Sequence, residues 1–407
     1  MTGHVLIIGG GQAAFQTAAS LRAKSYDGAI TIVSDDAVPP YQLPPLSKGY
    51  VKGSVSEEDL AFRKPEFYPD SHITLRLNTR AIAIDRAAKQ VILAGRETLA
   101  YDTLVLATGA RVRPLPLPGA DLDGLLYLRT LADARLLKER VYAAQSVAVI
   151  GGGFIGLEAA AVAAQLGKKV TVIEALDRLM ARAVAPEISE AYAKLHRSRA
   201  VDVRLATKTA GIAGEEGRAV AVILADGSAV EADLIIAGIG VLPNQEIAHE
   251  AGLICGNGIE VDNLLRTCDP AIFAIGDCAS FPTPFAEGRV RLESVQNALD
   301  QARFVADTVM GEGKPYDAVP WFWSDQFEAK LQIAGLSMGH DQRVLRGDPA
   351  AGGFSVFYFK AGKMIAADSL DKSGDHVAVR RMLALGSKIT AAQAGDESVS
   401  LKALLKA

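Results

Sequence analysis

Gly151-x-Gly153-x-x-Gly156 lies between an apolar run, Val147 to Ile150, and a helix-like run, and a second apolar run ends in Glu174, 23 residues after Gly151. Those residue types at that spacing suit the binding of a dinucleotide. Gly151 permits a tight turn, Gly153 lets backbone approach a pyrophosphate, and Gly156 lets helix and strand pack closely. The helix N-terminus offers unpaired N–H groups to phosphate, and Glu174 can accept from a ribose diol while repelling a 2′-phosphate. The pattern occurs a second time as Gly9-x-Gly11-x-x-Ala14 after Val5 to Ile8, with a following strand ending in Ser34-Asp35-Asp36. Two such units in one chain point to two cofactors, a flavin fed by a nicotinamide. A third acid, Asp277, closes the short apolar run Ile272 to Ile275. At the carboxyl end of a strand it can accept from a ribityl hydroxyl, or it can cap a later helix.

The elements that must position these groups follow from the apolar pattern. Leu104 to Ala107 is apolar at successive positions, which predicts a strand buried on both faces that ends in Thr108-Gly109. Asp233 to Gly240 repeats that pattern, and Pro243-Asn244 closes it. Short strands are expected at Ile73–Leu77, Val91–Leu93, Val201–Leu205 and Ala219–Leu224, and helices at Leu126–Arg140 (carrying Arg129 and Arg135) and Ala185–Arg199. Val38 to Tyr50 is a proline-dense loop whose one charge is Lys48, and Arg111 to Pro118 reads as a crossover between domains. From Trp321 onward, alternating stretches at Leu331–Ala334, Phe354–Phe359 and Met364–Ala367 predict an antiparallel sheet, followed by a helix at Asp375–Leu385. The expected fold is α/β, with two Rossmann-like dinucleotide-binding domains and a C-terminal α+β domain. The first domain spans 1–112 and 246–322, the second is inserted at 113–245, and the third covers 323–407.

Composition sets the frame. The 407 residues carry a net charge of −4 and are 49% hydrophobic and 22% charged, as in ordinary globular proteins. A global attraction to nucleic acid is not expected. No basic n-region precedes Val5, and no apolar run approaches the ~20 residues of a membrane span. Cys255, Cys268 and Cys278 form no C-x-x-C, and no metal-ligand spacing occurs, so a reducing cytoplasm is expected. Cys268 and Cys278 flank the run before Asp277 and read as packing residues.

The chain resembles the glutathione-reductase-like flavoproteins, and within them the NADH-dependent ferredoxin reductases of bacterial oxygenase systems. The resemblance rests on LPPLSK (43–48), LVLATG (104–109), YLRTLADA (127–134), GGGFIGLE (151–158), AGIGVLPN (237–244), AIGDCA (274–279), ESVQNALDQA (293–302) and PWFWSDQF (320–327). It implies FAD on Gly9, Gly11, Ala13, Ala14, Asp35, Lys48, Ala81, Thr108, Gly109, Arg129, Asp277 and Val295. Asp35 would bond the adenosine ribose, although Ser-Asp-Asp is also good turn sequence. NADH would lie on Gly151, Gly153, Ile155, Gly156, Glu174 and Gly240, with Arg178 and Arg182 at the surface or on the pyrophosphate side. Lys48 would lie beside flavin N5, paired with Glu158, and Trp323 would lie near the flavin and nicotinamide.

The implied activity takes hydride from NADH onto FAD and passes electrons singly to a 2Fe–2S ferredoxin. That ferredoxin would supply an oxygenase, either a haem monooxygenase or a ring-hydroxylating dioxygenase. Arg289, Arg291 and Arg303 are the docking candidates. The early loop has no cysteine, which argues against dithiol chemistry. A rubredoxin reductase, or a signalling flavoprotein of the apoptosis-inducing-factor kind, is the alternative.

Overall fold

A computed structural model describes residues 3–405. The chain divides into two compact units. One comprises the segments up to Gln42, Glu58–Arg111 and Leu242–Pro320, and the other Leu43–Glu57, Val112–Val241 and everything from Trp321.

The first unit is built on a parallel sheet in the order Ile272–Ala274, Thr103–Leu106, Val5–Ile8, Ile30–Val33, Ile73–Arg76. Val5–Ile8 and Ile30–Val33 are buried at every position, as strands covered on both faces must be. The chain leaves the central strand through Gly9, at φ +128°, into the helix Gln12–Ala23. That helix packs against a second helix, Val295–Val309, which the apolar pattern did not announce. Two small sheets complete the unit, the first antiparallel and the second mixed, with Gly258–Glu260 parallel to Ala279–Pro282. One contains Ala81–Asp85, Gln90–Leu93 and Thr98–Ala100, and the other contains Cys255–Gly256, Gly258–Glu260, Ala279–Pro282 and Arg289–Val290.

The second unit repeats the parallel design in the order Val201–Arg204, Lys169–Ile173, Ser146–Ile150, Leu234–Ala237, Leu125–Leu126. The helix Phe154–Gln165 is buried continuously from Gly156 to Ala163, so it is an interior helix with no solvent face along that run. Its first turn packs Phe154 against Phe322, ring centroids 4.6 Å apart, on the strand Trp321–Gln326. That strand opens an antiparallel sheet ordered Trp321–Gln326, Ala329–Gly335, Lys363–Leu370, Phe354–Lys360, Gln342–Arg346. The helix Ser373–Leu385 closes one face of it over Phe357, Phe359 and Met364.

One expected element is corrected. The helix placed at Leu126–Arg140 is a strand, Leu125–Leu126, and then a helix, Leu131–Ala143. Thr130 is the N-cap, accepting from Asp133 N, and Asp133 returns the bond to Thr130 N at 2.8 Å. This capping box fixes the helix start, so Arg129 precedes the helix instead of riding on it. The strands Thr209–Glu215 and Gln342–Arg346 were also not anticipated. Among the described residues no helix is long and apolar enough to cross a membrane.

Candidate functional site

The glycine turns have the geometry their chemistry requires. An added Cβ at Gly9 would lie 2.1 Å from the Ala107 carbonyl oxygen, and one at Gly151 (φ +105°) would lie 2.4 Å from that of Gly238. At Gly156 it would meet the Gly151 carbonyl oxygen at 2.3 Å, the close helix approach that excludes a side chain. The middle glycines differ in kind. A Cβ at Gly11 would meet no protein atom within 4 Å, and one at Gly153 only the Gly238 oxygen at 4.0 Å. Their bareness is unrelated to packing and leaves open space against the helix N-terminus, as a pyrophosphate cradle needs.

In the first unit the remaining groups converge on this turn. Asp277 sits in a short 3₁₀ turn, Gly276–Cys278, just beyond the strand Ile272–Ala274. A Cβ on Gly276 would lie 3.4 Å from that of Ala13 and 3.9 Å from that of Ala298, so Gly276, next to Asp277, lies between the N-terminal turns of two helices. Gly276 N donates to Gln301 Oε1 at 2.7 Å, which holds the turn from below. Gln301 is fully buried and carries no sequence signal of this role. Val295 is the first residue of its helix, capped by Ser294.

Thr108 Oγ1 donates to the Asn244 carbonyl at 2.6 Å, and Asn244 Nδ2 donates to that of Thr108 at 2.9 Å. The two loop ends that looked alike in sequence are thereby locked together. Asp35 is exposed. The neighbouring Asp36 accepts from Tyr41 Oη at 3.0 Å and from Ala37 N at 2.8 Å, so Asp36 is the acid that holds the turn. Ala81 opens its strand, half-buried.

In the second unit Glu174 Oε2 accepts from Gly152 N at 2.6 Å and Oε1 from Leu176 N at 2.7 Å. The carboxylate is therefore fixed against the glycine turn. Ile155 is 46% exposed on the first helical turn, and Gly240 has φ +105° with no protein atom near a Cβ. Arg178, expected at the surface or on the pyrophosphate side, is half-buried. It donates to Val184 O, Ser189 Oγ and Ala181 O and braces its own loop, whereas Arg182 is exposed.

Lys48 and Glu158 meet within this same unit. Lys48 Nζ lies 3.0 Å from Glu158 Oε1, with side-chain exposures of 24% and 3%. Two serines that sequence reasoning missed complete the carboxylate's shell. Ser324 Oγ donates to Oε1 at 2.7 Å and Ser47 Oγ to Oε2 at 2.5 Å. The loop carrying Lys48 is pinned in turn. Arg135 donates to both Glu57 oxygens at 2.8 and 2.5 Å, and Tyr50 Oη donates to Oε1 at 2.8 Å. The Arg135 guanidinium lowers Glu57 to about 2. Trp323 is half-buried and packs on Trp321, centroids 5.5 Å apart.

The docking candidates separate. Arg303 is 58% exposed, with Asp300 3.8 Å away. Arg291 is only 9% exposed, 2.7 Å from Glu293, and donates to the Asp277 carbonyl at 3.1 Å, so it is an internal brace and not a surface cation. Arg289 donates to Val261 O and Ser280 O. None of the three cysteines is in a disulfide. Cys278 is buried, its Sγ donating to Ile275 O at 3.2 Å, and burial pushes its thiol up. Cys268 is exposed, which corrects its expected packing role: it lies in the turn where Thr267 Oγ1 accepts from Asp269 N.

Two glycine-turn cradles with an acid beside each define a two-nucleotide oxidoreductase of the α/β class. Comparison with known proteins narrows it. Residues 3–302 match the pyridine nucleotide-disulphide oxidoreductase family, and residues 321–405 match the reductase C-terminal family. The chain belongs to the pyridine nucleotide-disulphide oxidoreductases. It is 46% identical over 398 residues to rhodocoxin reductase of Rhodococcus erythropolis, covering 98% of this chain and 93% of that one. Among solved structures, the ferredoxin reductase for the CYP199A2 system from Rhodopseudomonas palustris is 46% identical with a TM-score of 0.96, covering 98% of this chain and 99% of that one. The reductase of the covalent putidaredoxin reductase–putidaredoxin complex is 40% identical, also with a TM-score of 0.96, covering 99% of this chain and 98% of that one.

Proposed function

We propose that the protein is an NADH:ferredoxin oxidoreductase that carries FAD and supplies electrons through a 2Fe–2S ferredoxin to an oxygenase, in the cytoplasm. The observation that carries this reading is the pair of separate cradles, each with the middle glycine open to a pyrophosphate. FAD fits the first. Gly9, Gly11, Ala13 and Ala14 would hold its pyrophosphate, Asp35 its adenosine ribose, and Asp277 its ribityl chain, with Ala81, Thr108, Gly109, Arg129 and Val295 around it. NADH fits the second, on Gly151, Gly153, Ile155, Gly156 and Gly240, with the Glu174 carboxylate favouring a free ribose diol over a 2′-phosphate.

Bound FAD supplies the exchange between a two-electron donor and a one-electron acceptor. The chain's own contribution is position and field. Lys48, held by Glu158, would supply a cation beside the flavin, where negative charge grows as electrons arrive, and Trp323 would lie near the flavin and nicotinamide. Neither group has to move a proton. Arg303 presents positive charge to an acidic ferredoxin, setting orientation and on-rate.

Anaerobic stopped-flow absorbance tests the reading. NADH should bleach the flavin band much faster than NADPH does, and a 2Fe–2S ferredoxin added next should be reduced catalytically. A long-lived complex with NADH that ignores ferredoxin would instead support a signalling flavoprotein.

A further inference from the structure

Behind the Lys48–Glu158 pair runs a buried line of polar side chains that neither the cradles nor the ion pair requires. Ser324 Oγ donates its single proton to Glu158 Oε1 at 2.7 Å and accepts from Gln326 Nε2 at 3.2 Å. Gln326 Oε1 lies 2.9 Å from His196 Nε2. Ser324, Gln326 and His196 are between 0 and 1% exposed. The line crosses three elements, from the helix Phe154–Gln165 through the strand Trp321–Gln326 to the helix Pro186–Ser198.

Its direction is fixed by elementary valence. With the Gln326 amide nitrogen facing Ser324, its oxygen faces His196, so His196 Nε2 must carry the hydrogen. His196 Nδ1 is buried with no partner, and burial pushes the imidazole toward its neutral form. Every bond therefore points the same way, from His196 to Gln326 to Ser324 to the carboxylate. Lys48 and Ser47 donate to the same group from the other side. The Glu158 carboxylate thus accepts from three donors, two on Oε1 and one on Oε2. Tyr192 lies within the field of Asp371, Asp325 and Glu158, and burial holds it protonated. Ser324 also adjoins Trp323 on a strand where successive side chains take opposite faces, so the same strand fixes the carboxylate on one side and the tryptophan on the other.

We infer that Ser324, Gln326 and His196 are positioning residues, a one-way donor chain that holds the Glu158 carboxylate in register with Lys48 and so sets the potential at which the protein accepts electrons. This rests on the reading of Lys48 and Glu158 given above.

The test uses the FAD-loaded protein with Ser324→Ala, Ser324→Thr and Gln326→Met, each also in a Glu158→Gln background. Ser324→Ala should slow flavin bleaching by NADH about ten-fold, the worth of one charge-assisted hydrogen bond, and should shift the flavin midpoint potential. Ser324→Thr should restore both. In the Glu158→Gln background Ser324→Ala should change neither, because its effect passes through the carboxylate. Infrared difference spectra should show the Glu158 carboxylate stretch shifted by Ser324→Ala, through the lost hydrogen bond, without any turnover. Gln326→Met should act in the same direction by a smaller factor, and it carries the test if Ser324→Ala folds poorly. An unchanged potential and infrared signal in a folded Ser324→Ala protein would overturn the inference, as would an effect equally large in the Glu158→Gln background. Wild-type protein that is not bleached by NADH would count against the functional reading instead, and the infrared result would still stand or fall alone.

Discussion

Lys48 Nζ lies 3.0 Å from Glu158 Oε1, and the two are unequally buried, the lysine 24% and the carboxylate 3% exposed. The carboxylate thus depends on its partners for solvation, while the lysine retains water on one side. Glu158→Gln keeps the shape, removes the charge, and turns an amide hydrogen toward one of the donors on this site. We expect a loss of roughly 2 kcal/mol in stability, below the figure for a fully buried pair because Lys48 is partly hydrated. We also expect flavin bleaching by NADH to slow by about ten-fold or more. Denaturant unfolding and stopped-flow absorbance measure the two separately. A variant with wild-type bleaching would remove Glu158 from the electrostatics of the reaction.

The glycines at positions 9 and 11 should fail differently when replaced by alanine. At Gly9 the new Cβ would collide with the Ala107 carbonyl oxygen at 2.1 Å, at φ +128°. Gly9→Ala should destabilise the apoprotein by at least ~2 kcal/mol. At Gly11 nothing lies within 4 Å. Gly11→Ala should leave the apoprotein's melting temperature unchanged and reduce retention of FAD through gel filtration. Equal loss of apoprotein stability in both variants would mean that the Gly11 space belongs to packing and not to ligand.

These two glycines also show what sequence could and could not reveal. Spacing marks where backbone must turn or be approached, because only glycine satisfies that demand, so both cradles and their flanking strands were legible. Glu158 drew attention only through resemblance, since an acid within the first turns of a helix looks solvated. Ser47, Ser324 and Gln301 were invisible: a hydroxyl or amide becomes functional through what tertiary packing brings to it, and no local pattern records that. Arg291 erred the other way. Its charge suggested surface, but the structure turns it onto the Asp277 carbonyl and Glu293.

Glu174 is bound by the amides of Gly152 and Leu176, so its substitution must separate loop support from ribose recognition. Glu174→Gln keeps one of the two acceptors for the loop, sets an NH2 against the other amide, and discards the charge that repels a 2′-phosphate. The kcat/KM ratio of NADH to NADPH should fall by about 10- to 100-fold, the span of one or two charge-assisted hydrogen bonds. An unchanged ratio in a folded variant would place cofactor choice elsewhere.

Arg303 is the most exposed of the three docking candidates at 58%. Arg303→Glu should lower the second-order rate of ferredoxin reduction about three- to ten-fold at low ionic strength, and the deficit should shrink as salt is added. The loss should fall on the ferredoxin half-reaction when each half is timed alone. A deficit that does not respond to salt would argue against electrostatic steering.

Asp368 sets a pH dependence with a definite sign. It lies fully buried in the C-terminal sheet, where its Oδ2 accepts from Ala185 N at 2.9 Å and from the Tyr358 hydroxyl. Its Oδ1 has no hydrogen-bond partner. Burial raises it from 3.8 to about 7. Between those values the folded chain keeps a proton that the unfolded chain has released, so this contribution to stability is complete below pH ~4 and is lost as pH rises to ~7. His376 acts oppositely. Burial lowers it from 6.5 to about 4, so its contribution is present above pH 6.5 and is lost as pH falls toward 4. The two partly cancel in the wild type, and a difference measurement isolates Asp368. Asp368→Asn should melt above the wild type at pH 8, with the gap closing steadily as pH falls to 4. A gap that stays constant across that range would show that Asp368 does not change its proton occupancy on folding.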